Sequence, residues 1–149
     1  MKKRYKILTI ICAAIVLFIG YNRYFFTFNH LKADYYESPV ESPEGTYSAK
    51  AYYVYYGGAA GGVNVAVDII NNKDNNAKGK TIYYADAQRQ VYLEWKDEET
   101  IYIRNEAYEY PQSSRSIELN INKEIYHDTG LACDSWLLKG DYEACYEKD

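Results

Sequence analysis

The residues with the most specific chemistry are three cysteines. Cys133 and Cys145 lie near the C-terminus, whereas Cys12 lies within a long apolar run. If that run is buried in a membrane, the odd count leaves one buried thiol and one pair. A disulfide between Cys133 and Cys145 would close a loop of about thirteen residues and contribute roughly 3 kcal/mol in the chain-entropy model. We predict this disulfide. The alternative is two unpaired thiols, and the lack of a Cys-x-x-Cys motif argues against a redox role.

Other residue types that support catalysis form no recognisable arrangement. The two histidines, His30 and His127, are far apart in sequence, and neither has a partner at a catalytic or zinc-binding spacing. Acidic residues are numerous but scattered, so no carboxylate pair stands out. The glycine run Gly57–Gly62 lacks the Lys-Ser/Thr of a phosphate-binding loop, and Asn71–Asn76 lacks the acidic spacing of a calcium loop. We therefore predict no catalytic residues, no metal site and no cofactor.

Tyrosine is the most unusual feature of the composition, with 19 in 149 residues. Tyr-Tyr pairs place one ring on each face of a strand, because successive side chains of a strand alternate. Rings on an exposed face could stack on sugars or anchor a protein partner, and the candidate binding surface consists of Tyr52, Tyr56 and Tyr84. The simpler interpretation, which we favour, is that these rings cover a thin sheet where a larger protein would use aliphatic residues.

The elements that would position these residues are β-strands. Six segments are predicted as strands, because several of them alternate apolar and polar residues with a period of two and short turns lie between them. The predicted strands are Thr46–Tyr56, Val63–Ile70, Lys80–Ala85, Val91–Trp95, Thr100–Arg104 and Arg115–Asn122. A short helix is predicted over Ser135–Lys139. Because each strand has one polar face, the fold class is mainly β, an antiparallel meander that forms a sandwich or a partial barrel.

One N-terminal transmembrane helix is predicted before these strands. Four basic residues occupy the first six positions, and the uncharged apolar run Ile7–Gly20 follows them. Basic residues before the run keep the N-terminus cytoplasmic, so later residues are translocated. Phe18-Ile19-Gly20 does not fit a signal-peptide cleavage site, and Ile11 before Cys12 does not fit a lipoprotein. We predict an uncleaved signal anchor in the cell membrane, with an aromatic belt formed by Tyr24, Phe25, Phe26 and Phe28.

The chain is thus divided into three parts that differ in charge. Residues 1–28 form the basic cytoplasmic tail and the anchor, 29–45 an extended tether, and 46–149 an extracytoplasmic β-rich domain. The first 23 residues contain five of the 17 basic residues and no acidic ones, which leaves 12 basic and 21 acidic residues and a net charge of −9. A domain with this charge would repel phosphate backbones, so nucleic acid is disfavoured as a partner.

The predicted domain contains four motifs in order: SPEGTYSAKAYY, which begins at Ser42, the turn GGAAGG, KTIYYAD, and YLEWKDEETIYI. These motifs resemble those of a family of small membrane-anchored proteins from Gram-positive bacteria. The family is known only as a domain of unknown function. The resemblance therefore implies a location in the cell envelope and no established activity.

The function predicted from the sequence is a non-enzymatic binding or interaction module of the cell envelope. Its partners would be the membrane, through the anchor, and an envelope protein or a wall polymer, through the aromatic surface. One alternative is a hydrolase that acts on wall material through a carboxylate pair. Another is an immunity-type protein that inhibits a second envelope protein.

Overall fold

The computed structural model describes residues 2–58, 61–74 and 78–148. Helix α1 covers Lys2–Tyr24, and short helices α2 and α3 cover Leu131–Asp134 and Trp136–Lys139. The strands are β1 (Tyr35–Tyr36), β2 (Val40–Glu41), β3 (Tyr47–Tyr56), β4 (Gly62–Asn71), β5 (Lys80–Asp86), β6 (Tyr92–Trp95), β7 (Thr100–Arg104), β8 (Ile117–Asn120), β9 (Glu124–His127) and β10 (Ala144–Tyr146). The fold is mainly β after one apolar helix, as predicted. The predicted glycine turn and the polar loop after β4 include residues 59–60 and 75–77, which lie outside the described residues.

The larger sheet has the strand order β1-β3-β4-β5-β9-β10, with β2 also paired to β3. Its centre is the antiparallel meander β3–β4–β5, in which β3 and β4 pair from Tyr47 opposite Asn71 to Tyr56 opposite Gly62. β9 joins β5 in parallel, and β10 joins β9 in parallel. The predicted antiparallel meander is thus confirmed for the central strands of the larger sheet. The edge formed by β9 and β10 is parallel instead, because the chain crosses over before it enters β9.

The smaller sheet consists of β6, β7 and β8 in antiparallel order. It lies in sequence between β5 and β9, so it forms the crossover connection that a parallel pair requires. The alternating residues Ile101, Ile103 and Leu119 are fully buried, as the period-two pattern predicts. The other face pairs Tyr102 with Glu118 across the two strands.

The two sheets share one hydrophobic core, which the inner face of the larger sheet and the apolar face of the smaller sheet form together. The larger sheet contributes mostly small and β-branched side chains, and the fully or nearly fully buried ones include Ala49, Ala51, Val65, Val67, Ile69, Ile82, Ala85 and Ile125. Short side chains let the second sheet approach closely, which gives a close-packed interior. Of the two architectures predicted, the structure has the two-layered one.

Buried polar groups also link the two layers. Asn105 is fully buried, and its side-chain amide donates to the Tyr83 hydroxyl at 2.8 Å and to the Asp86 carbonyl at 2.9 Å. The Tyr83 hydroxyl donates in turn to the Arg115 carbonyl at 2.9 Å. Burial raises the pKa of Tyr83 far above its ordinary value, so this hydroxyl keeps its proton. Each polar group thus has a partner, which is what burial requires.

Segment 29–45 follows the edge of the larger sheet. Its strands β1 and β2 pair antiparallel with β3, and the Trp95 indole donates to the Val40 carbonyl at 3.0 Å. The segment is extended, as proline residues favour, but it is also held by ladder hydrogen bonds that the tether prediction did not include. Residues 42–45 (Ser-Pro-Glu-Gly) form a β-turn, which Pro at the second position and Gly at the fourth favour: the Gly45 amide donates to the Ser42 carbonyl at 2.9 Å, and Gly45 has a φ of 70°.

The C-terminal segment contains the predicted short helix, as α3, and a disulfide between Cys133 and Cys145. The disulfide joins α2 to β10, with the two Cα atoms 5.5 Å apart, an ordinary separation for such a bond. It therefore fastens the last strand of the larger sheet to the helices that precede it.

Within helix α1, the stretch Arg4–Tyr24 has no buried residue and is long and apolar enough to cross a membrane. Its length and composition fit a single-pass anchor, and a signal sequence would share both properties. Among the described residues, Cys12 on this helix is the free cysteine.

Candidate binding pocket on the outer face of the larger sheet

The face of the larger sheet opposite the core, which we call the outer face, carries a row of aligned residues. Tyr52 pairs with Ala66, Ala66 with Tyr84, and Tyr84 with His127. Since paired residues of a sheet point to the same side, these side chains form a continuous row across four strands. The sequence pattern predicted the alternation, and the register brings the residues of the row together.

A short aromatic segment that leads out of α1 packs on this row. We call it the cover segment, residues 26–31. The Phe28 ring lies 6.2 Å from Tyr84 and 6.0 Å from His127, and the Phe26 ring lies 5.5 Å from His127. Tyr84 and His127 stack on each other at 5.0 Å, and His127 is buried. Phe26 and Phe28 were predicted as part of an aromatic belt; they pack on the sheet because the outer face offers them apolar surface.

The three tyrosines of the predicted binding surface share the outer face but differ in exposure. Tyr52 is only 6% exposed, whereas Tyr56 is 47% exposed and Tyr84 is half-buried. Leu31 of the cover segment lies between two pockets, and it lines both of them. Tyr56 and Tyr84 therefore line one pocket together, and Tyr52 lines the other.

The pocket that Tyr56 and Tyr84 line, which we call the tyrosine pocket, has a volume of about 470 Å³. That volume lies in the usual range for small-molecule sites. Its polar lining comes from three separate parts of the sequence, represented by Asn64, Asp86 and the adjacent pair His127 and Asp128, with Phe26 and Leu131 as apolar walls. The sheet register therefore assembles an aromatic and polar pocket that no contiguous motif contains.

Hydrogen bonds fix the orientation of the side chains in the tyrosine pocket. The Tyr56 hydroxyl donates to Asp86 Oδ1 at 3.0 Å, and Asn64 Nδ2 donates to the Tyr84 hydroxyl at 2.6 Å. The hydrogen bond to Asp86 raises the pKa of Tyr56, and burial raises the pKa of Tyr84. Both phenols are therefore neutral at physiological pH. The Tyr84 hydroxyl, which accepts from Asn64, can donate its own proton to a ligand, whereas the Tyr56 hydroxyl, which donates to Asp86, can accept from one.

The two carboxylates of the tyrosine pocket also have partners within the protein. Arg115 Nε lies 2.8 Å from Asp128 Oδ1, and both side chains are largely buried, at 10% and 14% exposure. Asp128 Oδ2 accepts from the Asp86 amide at 3.3 Å. An ion pair shielded from water in this way holds Asp128 in place and supports the end of β5.

The second pocket, about 440 Å³, lies on the other side of Leu31 and has different chemistry. Its lining includes Asp68 and Lys80, and the Lys80 ammonium lies 3.9 Å from the centre of the Tyr142 ring. Burial raises the pKa of Asp68 and lowers the pKa of Lys80. Thr81 donates to Asp68 Oδ1 at 2.6 Å. These contacts stabilise the start of β5, and they bind the charged groups of Asp68 and Lys80 to other residues of the protein.

The described residues contain no cluster of side chains that could form a metal centre. Within residues 2–58, 61–74 and 78–148, no three His, Cys, Asp or Glu side chains form a group that could hold a metal ion. The tyrosine pocket instead combines aromatic rings, neutral hydroxyl groups, an amide and carboxylate acceptors. That combination can recognise a ligand with many hydroxyl groups through packing and hydrogen bonds.

Comparison with known proteins assigns the chain to a family. A family described as "Family of unknown function (DUF5412)" matches residues 2–127. The chain belongs to the DUF5412 family. This confirms the resemblance to a domain of unknown function. The match includes α1, the cover segment and the strands up to β9, whereas the disulfide, α2 and α3 lie beyond it. No curated protein matches the chain, and no solved structure matches it.

Of the residues in the tyrosine pocket of this DUF5412 member, sequence reasoning singled out Tyr56 and Tyr84 and missed the others. Asn64 and Asp86 lie opposite each other on neighbouring strands, which only the β4–β5 register reveals. Asp128 follows β9, a strand that was not predicted. A usable signal was present in residues 125–127, a short apolar stretch after a clear turn, which has the character of a buried strand.

Proposed function

We propose that this protein is a membrane-anchored extracytoplasmic binding module, and that the tyrosine pocket binds a segment of a neutral, hydroxyl-rich wall polymer. The observation that carries the proposal is the convergence of Tyr56, Tyr84, Asn64 and Asp86 in one pocket of suitable size. Tyrosine rings can pack on the apolar face of a sugar, while amide and carboxylate groups bond its hydroxyls.

Charge and position support this choice of ligand. The region after residue 23 has a net charge of −9, so an anionic polymer would be repelled, and Asp86 adds a carboxylate to the lining of the pocket. Helix α1 is long enough to hold the domain at a membrane, and the basic residues at its start favour export of the residues after the helix. A domain held there would meet wall polymer at high local concentration.

Binding to purified wall material tests the proposal. The full chain in detergent is incubated with insoluble wall polymer and sedimented, and binding is compared among wild type, Tyr56→Ala and Asn64→Ala. Loss of one ring contact of roughly 1 kcal/mol weakens binding about fivefold. Tyr110→Ala is the matched control, because Tyr110 is 62% exposed and does not line the tyrosine pocket. Equal binding by wild type and both pocket variants, or no binding by wild type, contradicts the proposal.

A second candidate function is hydrolysis of the bound polymer, because Asp86 and Asp128 line the same pocket. It ranks second because both carboxylates are engaged by protein groups, Asp128 by Arg115 and Asp86 by the Tyr56 hydroxyl. The test is release of soluble fragments from wall polymer by wild type and by Asp86→Asn. Release by wild type alone supports hydrolysis, and no release by wild type rules it out.

A further inference from the structure

Helix α3 presents two large apolar side chains to the surroundings. Trp136 is 67% exposed and Leu137 is 49% exposed. Adjacent exposed side chains of this size expose apolar surface that water disfavours, and such a patch often marks a site of interaction. The contacts of α3 with α1 indicate which partner would cover it.

Polar contacts fix α3 beside the C-terminal end of α1. Arg23 forms an ion pair with Asp134, the last residue of α2. The hydroxyl of Ser135, which is fully buried between α2 and α3, donates to the Phe26 carbonyl at 3.0 Å. The main chain that leaves α1 is therefore bonded directly to the turn that carries Trp136.

Aromatic contacts place Trp136 level with the last turn of α1. Its ring lies 5.3 Å from the ring of Tyr24 and 6.3 Å from that of Phe25. Leu137 lines a groove of about 810 Å³ whose other walls include Phe18 and Ile19 of α1 and Phe25, which follows the helix. The exposed surface of α3 is thus continuous with the apolar surface of the helix.

We propose that Trp136 and Leu137 insert into the extracytoplasmic leaflet of the bilayer, as a second membrane contact beside α1. The proposal rests on the membrane anchor of the proposed function. If α1 spans the bilayer, Phe18 and Ile19 lie in its hydrocarbon core. Leu137 lines the same groove as these two residues, so lipid acyl chains fill the groove. Trp136 lies beside Tyr24, at the interface that tryptophan prefers. The occupant is lipid, and the domain stands on the membrane surface instead of moving freely on a tether.

The two tryptophans of the chain make this proposal testable by fluorescence. Full-length wild type, Trp136→Phe and Trp95→Phe are placed in phosphatidylcholine–phosphatidylglycerol vesicles, with and without bromine on the acyl chains. Brominated chains quench a tryptophan that enters the bilayer. Trp95→Phe, which reports Trp136, should lose most of its emission. Trp136→Phe, which reports Trp95 in β6, should retain most of it. Because Trp136 is mainly exposed, Trp136→Phe should fold. If Trp95→Phe misfolds, the quenching of Trp136 can still be obtained as the difference in quenching between wild type and Trp136→Phe.

Labelling of Cys12 separates failure of this proposal from failure of the anchor. A maleimide that cannot cross membranes should leave Cys12 unlabelled in vesicles and label it after detergent is added. Protected Cys12 together with quenched Trp136 supports the proposal. Protected Cys12 with unquenched Trp136 overturns the second contact and leaves the anchor standing. Cys12 that reacts without detergent overturns both.

Discussion

The inner face of the larger sheet packs against a second sheet through small aliphatic side chains, whereas its outer face packs against a short aromatic segment that leads out of α1. On the inner face, residues such as Val65 and Val67 are completely buried. On the outer face, Phe26 and Phe28 cover only part of the row, and a pocket remains on either side of Leu31. The inner face therefore provides most of the stability, and the outer face provides the room for a ligand.

The difference arises from the size of the element that covers each face. A sheet of three strands can exclude water from a whole face, which favours close packing and large stabilisation. A segment of six residues cannot do this, so polar side chains such as Asn64 and Asp86 are tolerated on the outer face. Those side chains are the ones that the proposed function uses. Four changes of decreasing effect test this comparison.

Ile103→Ala should have the largest effect, because Ile103 is fully buried between the two sheets. Removing its side chain leaves a cavity and should lower the free energy of unfolding by about 2–5 kcal/mol. Chemical unfolding of the full chain in detergent, followed by tryptophan fluorescence, measures the loss. A loss below about 1 kcal/mol would mean that the inner face is not the main source of stability.

Removal of the disulfide should come next. The two cysteines are 12 residues apart in sequence, and the bond between them closes a loop that restricts the unfolded chain. In the double variant Cys133→Ser/Cys145→Ser this loop is open, so the free energy of unfolding should fall by about 3 kcal/mol. The same unfolding experiment, with reduced wild type as the control, measures it. If reduction leaves the unfolding midpoint unchanged, the C-terminal segment does not depend on this bond.

Phe28→Ala should have a smaller effect than either change. Phe28 is half-buried on the outer face, so its loss should cost about 1–2 kcal/mol, below the value for Ile103→Ala. Phe28→Leu is the control, because it keeps most of the apolar contact. A loss equal to that of Ile103→Ala would erase the proposed difference between the two faces.

Glu98→Gln should have the smallest effect, and one that depends on pH. The Glu98 carboxylate, from the β6–β7 turn, accepts from the Ser42 hydroxyl at 2.8 Å and from the Glu44 and Thr46 amides at 2.8 and 3.1 Å. Desolvation alone would raise its pKa, but these hydrogen bonds outweigh it and lower the pKa.

The lowered pKa determines the sign of the pH effect. The ionised Glu98 stabilises the folded chain above its unfolded pKa of about 4.3, and this contribution disappears as the pH falls through the folded value. Wild type should therefore unfold at a higher temperature than Glu98→Gln at pH 7, with a difference that shrinks towards pH 3. A difference that grows on acidification would contradict this role.

The sequence predicts the core between the two sheets and the Ser42 turn well, because the strands β7 and β8 are close in sequence and alternate strictly. Ile101, Ile103 and Leu119 occupy the positions that period-two patterning assigns to a core, and the Ser42 turn has the residues that its geometry needs. Each of these features is encoded within a few neighbouring residues, so no knowledge of the register is required.

The tyrosine pocket could not be predicted in the same way, because its parts are distant in sequence. Tyr56, Asn64, Asp86 and Asp128 meet only through the pairing of β3, β4, β5 and β9, and β9 enters the sheet by a parallel crossover. Phe26 and Phe28 of the cover segment were assigned to the membrane interface because they are aromatic. Aromatic composition alone does not distinguish a lipid interface from a sheet face, since both bury rings in apolar surroundings.

We propose that the tyrosine pocket lies outside the cytoplasmic membrane on a chain that keeps its anchor. A C-terminal epitope tag on the full chain tests it: wall-free intact cells are treated with protease, and the mass of the untreated protein is measured in parallel. We expect the tag to be digested in intact cells, a cytoplasmic control protein to survive, and the mass to include α1. A tag that survives until the membrane is permeabilised would place the domain in the cytoplasm and contradict the account.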